Sequence, residues 1–322
     1  MGHRRSTEPR RPATATVLAV LAVLAGPAAS QEAGEPPSNA PLLWRLQTYP
    51  ASFVLGTIHV ADQRVLALPP QVQDALDQAD VVHGETALTP DEDVAHLLVT
   101  NDEIPLRHRI PRRLYERLDT YVKAKGASMV PLDTLWPWAV AMHITVLDRP
   151  LQPALGAAPL DQHVLDLALA AGKRTGALES VEEQIGVFVH LQTEEHTQLL
   201  ANTLDVLERL DREQRSATDE LVTLYLGGDE TRLREHALRF LPREGSLHDK
   251  IVGELLQRRN QRLAGRIEAT IRSHRGISHL FAIGAAHLGG PTGVLQRLRD
   301  RGVRLRRVTG GAAGRSVSRD GE

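Results

Sequence analysis

The sequence predicts an α/β fold: a mixed central sheet built from both ends of the chain, with a large helical insertion between them. Three observations lead there. Short strand-like runs gather early and late, at "LLWRLQ" (42–47), "SFVLGTIHV" (52–60) and "DVVHGE" (80–85), then at "HLFAIGAAHL" (279–288) and "VRLRRV" (303–308). Between about 91 and 275 the pattern changes to apolar residues three and four apart with charges on the opposite face, which is helical. Finally, dividing the chain into two domains would leave each half-sheet with an open edge.

The elements follow in order. Residues 1–30 carry a basic head, an apolar stretch from Thr16 to Leu24 and the small-residue exit Ala28-Ala29-Ser30, the layout of a cleaved secretory signal. An uncleaved anchor is disfavoured because the stretch is shorter than the roughly 20 residues a span needs. The mature chain is then expected to start near Gln31 and to be periplasmic or secreted. Residues 31–41 read as a flexible, Pro-rich leader, residues 42–309 as the folded domain and residues 310–322 as a loose Gly-, Ser- and Arg-rich tail. "TYPA" between the first two runs suggests a hairpin. "LPPQVQDALDQA" (68–79) reads as a helix opening on Pro, with Val72, Ala75, Leu76 and Ala79 on one face. The order strand, helix, strand then implies that the runs around Leu55 and Val82 form a parallel pair joined by a crossover helix. Helices are expected over 111–126, 160–173, 196–214 and 248–273, interrupted by "KRTGALES" (173–180), a short strand ending at Glu179. A last helix, "PTGVLQRLRDRG", should begin at Pro291 and stop before Gly302.

Composition excludes several functions. With 42% hydrophobic and 24% charged residues the chain can bury a core, and a formal charge of -2 gives no sign of a nucleic-acid partner. There is no Cys, so disulfides, thiolate metal sites and a cysteine nucleophile are excluded, and any metal must be held by His and carboxylate. No Gly-x-Ser-x-Gly elbow supports a serine hydrolase.

The chemistry is carried by a repeat. "GTIH" (56–59) and "GAAH" (284–287) each follow an apolar run, so Gly56 aligns with Gly284 and His59 with His287. A glycine past a strand lets the backbone turn or approach another group closely, and a histidine three residues later is delivered to the carboxyl edge of the sheet, where clefts form. Two ordinary turns capped by histidines are the plain alternative. Glu85, ending a strand that should run parallel to the first, shifts the balance: two imidazoles and one carboxylate make a first shell for a divalent ion with positions open to water. The donor set lacks sulfur, so Mn, Co and Zn are all allowed. Glu85 would serve as ligand or as general base. Competing features have cheaper explanations: His190, Glu194, Glu195 and His196 as a solvated helix face, "GGPTG" (289–293) as a turn and cap, Trp136-Pro137-Trp138 as packing.

With these motifs the chain resembles the TraB/GumN/PrgY family, which includes the Tiki metalloproteases and has distant kinship to erythromycin-esterase and ChaN-type folds. "GTIH", "HGETAL" and "GAAH" carry the resemblance, with "PPQVQDAL", "LDQHVLDLALAAGKRTGALESVEEQ", "YLGGD" and the Arg259-Asn260 pair in matching order. It runs from about Leu42 to Val308. The resemblance implies an erythromycin esterase/ChaN-like fold and a metal-dependent hydrolase, acting on peptides or another small molecule, with His59, His287 and Glu85 at its centre. It further implies that Arg259 and Asn260 stand behind the ligands or touch substrate, and that Glu179 supplies a second acidic group. The sequence departs from the family at Pro159, where relatives carry Gly, which puts Asp161 in doubt. A non-catalytic protein binding haem or a peptide in the same cleft is the alternative. No lasting membrane association is expected after signal cleavage.

Overall fold

A computed structural model describes residues 41–87, 95–100, 102, 104–148 and 158–309. The expected signal, most of the leader and the tail lie outside the described residues.

Six strands form one sheet: β1 (Leu43–Leu46), β2 (Ser52–Thr57), β3 (Val81–Gly84), β4 (Arg174–Ala177), β5 (His279–Gly284) and β6 (Leu305–Arg307). Their spatial order is β4-β3-β5-β2-β1-β6. The sheet is mixed. β1 lies antiparallel to β2, as the hairpin reading expects, and antiparallel to β6, whereas β2, β5, β3 and β4 run parallel. β2 and β5 sit in the middle of this sheet, and all of their residues except Gly284 are buried, the signature of strands covered on both faces. The edge strand β4 is only partly covered and carries Arg174 and Thr175, which discourages further pairing.

Three expectations need correction. β2 and β3 are parallel but not neighbours, because β5 is inserted between them and pairs with both. Parallel adjacency is decided by which strand best fills the buried centre, and β5, apolar from Leu280 to Ile283, does so. The strand in "KRTGALES" ends at Ala177, before Glu179. Leu178 and Glu179 continue alongside β3 through backbone bonds to Gly84 and Glu85, and Ser180 then opens the helix Val181–Val189 with a reciprocal capping box to Glu183. The last helix spans Val294–Asp300 with Gly293 as its N-cap, so Pro291 belongs to the preceding turn; Gly302, at φ +79°, follows its end as expected.

The helix Pro70–Gln78 buries Val72, Ala75 and Leu76. The long helical run near the C-terminus is not uniform: Ser246–Ile251 and Arg259–Ser273 are α-helical, and Val252–Arg258 between them is a π-helix. The core divides accordingly. One cluster wraps the sheet, with Leu43, Val54, Leu55, Val82, Phe281 and Ile283 at its centre. A second lies within the helical insertion, where Trp138 stacks on Phe188 at 5.4 Å between ring centres, which assigns Trp138 to packing.

Candidate functional site

Registration of β2 against β5 brings the two repeats together. Thr57 pairs with Gly284 at the ends of these parallel strands, so both chains leave the sheet at the same carboxyl edge. His59 follows β2 in a loop, and His287 closes the 3₁₀ turn Ala285–His287 after β5. β3 ends at Gly84 and delivers Glu85 to that edge. Gly284 is needed for close approach: a Cβ there would stand 3.2 Å from Glu85 Oε1 and 3.5 Å from His287 Cδ2, so the carboxylate and the second imidazole lie against the same glycine. Its φ of -52° carries no strain. Gly56 has a different reason. A Cβ there would meet Leu288 Cδ1 at 2.7 Å and Leu42 Cβ at 3.0 Å, and its carbonyl accepts a hydrogen bond from the Tyr225 hydroxyl at 2.9 Å.

Each histidine is tethered through Nδ1. Asn260 donates Nδ2–H to the Thr292 carbonyl at 2.9 Å, which orients its amide so that Oδ1 faces His287 Nδ1 at 2.7 Å. An amide oxygen only accepts, so Nδ1 carries the proton and Nε2 of the neutral ring keeps its lone pair. His59 Nδ1 lies 2.9 Å from Asp161 Oδ2. Asp161, in the first turn of the helix Leu160–Ala170, is thus at the site despite the departure at Pro159.

Glu85 is the most heavily bonded of the three. Its Oε1 accepts from the Gly284 N–H at 2.7 Å, and its Oε2 accepts from Gln184 Nε2 at 3.0 Å and from Arg259 Nη2 at 2.5 Å. Arg259 also donates Nε–H to Glu179 Oε1 at 2.6 Å. Glu179 stands beside Glu85 because its own N–H donates to the Glu85 carbonyl at 2.8 Å. Two buried carboxylates side by side would repel, and the guanidinium between them offsets that.

Protonation follows from these contacts. Burial alone would raise Glu85, but Arg259, then His287, His59 and the Gly284 N–H, outweigh it and hold the carboxyl at about 2. Burial, reinforced by Arg259, pushes His287 down to about 3, so its ring is neutral at pH 7. His59 moves the other way: the Asp161 charge, opposed by burial and helped by Glu85, raises it to about 9. Its side chain is 47% exposed, so solvent screening tempers that shift. Burial is also the leading influence on Glu179, which is raised. Both site histidines respond to Glu85 and Glu85 to both of them, which makes the three one electrostatic unit.

The TraB/PrgY/gumN family model matches residues 42–307. The chain belongs to this family. Among curated members it is similar to metalloprotease TIKI2 of Danio rerio, at 28% identity over 82% of this chain and 60% of the relative. It is likewise similar to a metalloprotease TIKI homolog of Amphimedon queenslandica, at 25% over 83% of this chain and 61% of the relative, and to metalloprotease TIKI1 of Homo sapiens, at 26% over 84% and 62%. The chain thus spans about three-fifths of the length of these relatives. No solved structure matches it. Among the described residues of this family member, no helix is long and apolar enough to cross a membrane.

The donor chemistry at the edge fits a divalent ion in part. Imidazoles held through Nδ1 by a carboxylate or an amide, with Nε2 left over, are the form in which histidines ligate metals; His287 has it, and His59 has the Nδ1 tether but must first give up its Nε2 proton. Glu85 fits less completely, since three hydrogen bonds occupy most of the roughly four lone-pair positions a carboxylate offers. Among the described residues no three His, Asp or Glu side chains already form a ligand cluster.

The structure brings His59, His287, Glu85, Arg259, Asn260, Glu179, Gly56 and Gly284 to one sheet edge or its immediate backing. His190 and Glu194 are exposed, and His196 is tied to the Phe188 carbonyl at 2.9 Å. Sequence reasoning missed Gln184 and gave Asp161 no role. The signal for Gln184 was its place one turn into a helix that starts two residues after the guessed Glu179.

Proposed function

We propose that this chain is an exported metal-dependent hydrolase acting on peptide bonds, with His59, His287 and Glu85 as the residues that hold the ion. The observation that carries this reading is the Thr292–Asn260–His287 chain of hydrogen bonds, which leaves a neutral imidazole with its Nε2 lone pair available beside an ionised carboxylate. The metalloprotease names of the relatives point the same way. A bound divalent ion would supply a water of lowered pKa and polarise the scissile carbonyl.

This chain's own residues do the rest. Asn260 and Asp161 hold the two rings in orientation. His59 at pH 7 carries protons on both nitrogens in the ion-free protein, so ligation through Nε2 requires that nitrogen to give up its proton. Glu85, with a pKa near 2, is a weak proton acceptor at neutral pH, which favours a charge-holding role over that of general base. Mn, Co and Zn remain the candidate ions.

The test is cleavage of a peptide library by the purified chain, after removal of metal by chelator and after return of Mn²⁺, Co²⁺ or Zn²⁺ singly. Expected are no cleavage after chelation, recovery with at least one ion, and loss of both activity and bound metal in His287→Ala. Undiminished cleavage in chelator would overturn the reading. Retention of haem or peptide without turnover would favour a binding protein instead.

A further inference from the structure

A cation already sits on Glu85. Arg259 Nη2 reaches Glu85 Oε2 at 2.5 Å and also lies 2.5 Å from Glu179 Oε1, the oxygen that receives Arg259 Nε–H. Guanidinium and carboxylate pair best two-on-two, one N–H to each oxygen. Here both N–H groups converge on Glu179 Oε1, and Glu179 Oε2 is buried with no hydrogen-bond partner. The nearest other cation, Arg262 Nη2, is 4.0 Å away. Arg259 is therefore one position short of a complete fork on Glu179, and the group that holds it short is Glu85.

We propose that Arg259 is a positioning residue that changes partners with the ion: without metal its guanidinium occupies Glu85, and divalent cation binding moves it onto Glu179, where Nη2 fills the unpaired Oε2. The inference rests on the metal-binding reading above. Two cations on one carboxylate repel each other, so the ion gains Glu85 only as Arg259 withdraws. The landing site for that withdrawal is prepared, because Glu179 Oε2 is an acceptor in want of a donor and buried acceptors are costly to leave unpaired. Glu179 cannot drift from Glu85, since its N–H is fastened to the Glu85 carbonyl. The exchange needs a short movement of one side chain and no movement of the sheet. It also fits the lack of a ready ligand cluster around Glu85 among the described residues: the carboxylate is held by an internal cation.

Calorimetric titration of the purified full chain with Mn²⁺, and with Co²⁺ and Zn²⁺ in parallel, tests this without reference to catalysis. Arg259→Gln removes the competing charge and is expected to tighten binding by about tenfold or more, the scale on which groups behind metal ligands act. Glu179→Gln removes the landing site and is expected to weaken binding by about tenfold. The double variant, which exchanges a buried ion pair for a neutral pair of similar shape, is expected to follow Arg259→Gln, and it decides the matter if Arg259→Gln alone does not fold. A residue that merely supports the site would shift affinity in the same direction in all three. Wild-type binding with unchanged or weaker binding in Arg259→Gln and in the double variant would overturn the exchange and leave the metal reading standing. No binding in the wild type or in any variant would overturn both.

Discussion

Asn260 and Asp161 hold the same nitrogen of their respective histidines with opposite electrostatic results. The amide accepts the Nδ1 proton of His287 without rewarding a second proton, and burial keeps that ring neutral; the carboxylate rewards the second proton on His59. Asp161→Asn should therefore lower the His59 pKa from about 9 toward its ordinary 6.5, since the leading cause is removed. Titration of the histidine ring resonances by NMR checks this, and a His59 that still titrates near 9 would place the source of the shift elsewhere. The stability linkage has a definite sign. A histidine whose folded pKa is raised stabilises the fold fully below 6.5 and loses that contribution as pH rises to about 9, so the wild type should lose stability over that interval relative to Asp161→Asn.

At the scale of elements, the two copies of the repeat are alike in sequence and unlike in load. Gly56→Ala puts a methyl against Leu288 and Leu42, in a core with no room for it, and should lower stability by about 1–3 kcal/mol. Metal affinity should change little. Gly284→Ala pushes instead on Glu85 Oε1 at 3.2 Å and should weaken metal binding with a smaller effect on melting. Denaturant unfolding and calorimetry on the pair separate these effects, and equal losses in both variants by both measures would contradict the division. The repeat itself was legible because strand, glycine and histidine are local features with a fixed spacing, and so was the carboxyl-edge position of Glu85. The insertion of β5 between β2 and β3 was not, since no residue within a parallel strand names its neighbour. The π segment Val252–Arg258 was hidden for another reason: apolar spacing of three and four tolerates the wider π turn, which directly precedes Arg259 and Asn260. Gln184 and Asp161 come from separate helices, and only the closed fold brings them in.

Across the whole molecule, buried neutral histidines make the protein acid-labile. His287 is held at about 3, and His83 and His236 at about 4, burial leading in each case. The unfolded chain takes up these protons near pH 6.5 and the folded one does not, so stability should fall as pH drops below 6.5. The slope should be up to about 1.4 kcal/mol per pH unit for each of the well-buried His236 and His287. Glu85, lowered from 4.5 to about 2, adds to the loss as pH falls below about 4.5. Thermal melts of the ion-free protein should show a falling Tm from pH 7 to pH 4, with a shallower fall in His236→Gln; a level Tm across that range would contradict the assignment. The central place of β5 has a further consequence for how the protein is made. A ribosome delivers β2 and β3 early, and their facing edges must wait through most of translation for residues 279–284 to arrive and join them. Closure over so long a loop is slow, and a chain cut between Glu85 and β5 keeps His59 and Glu85 but lacks the strand that joins theirs. Loss of the C-terminal part should thus remove the candidate site outright instead of weakening it, so no nascent or clipped fragment carries that site before the whole domain is complete.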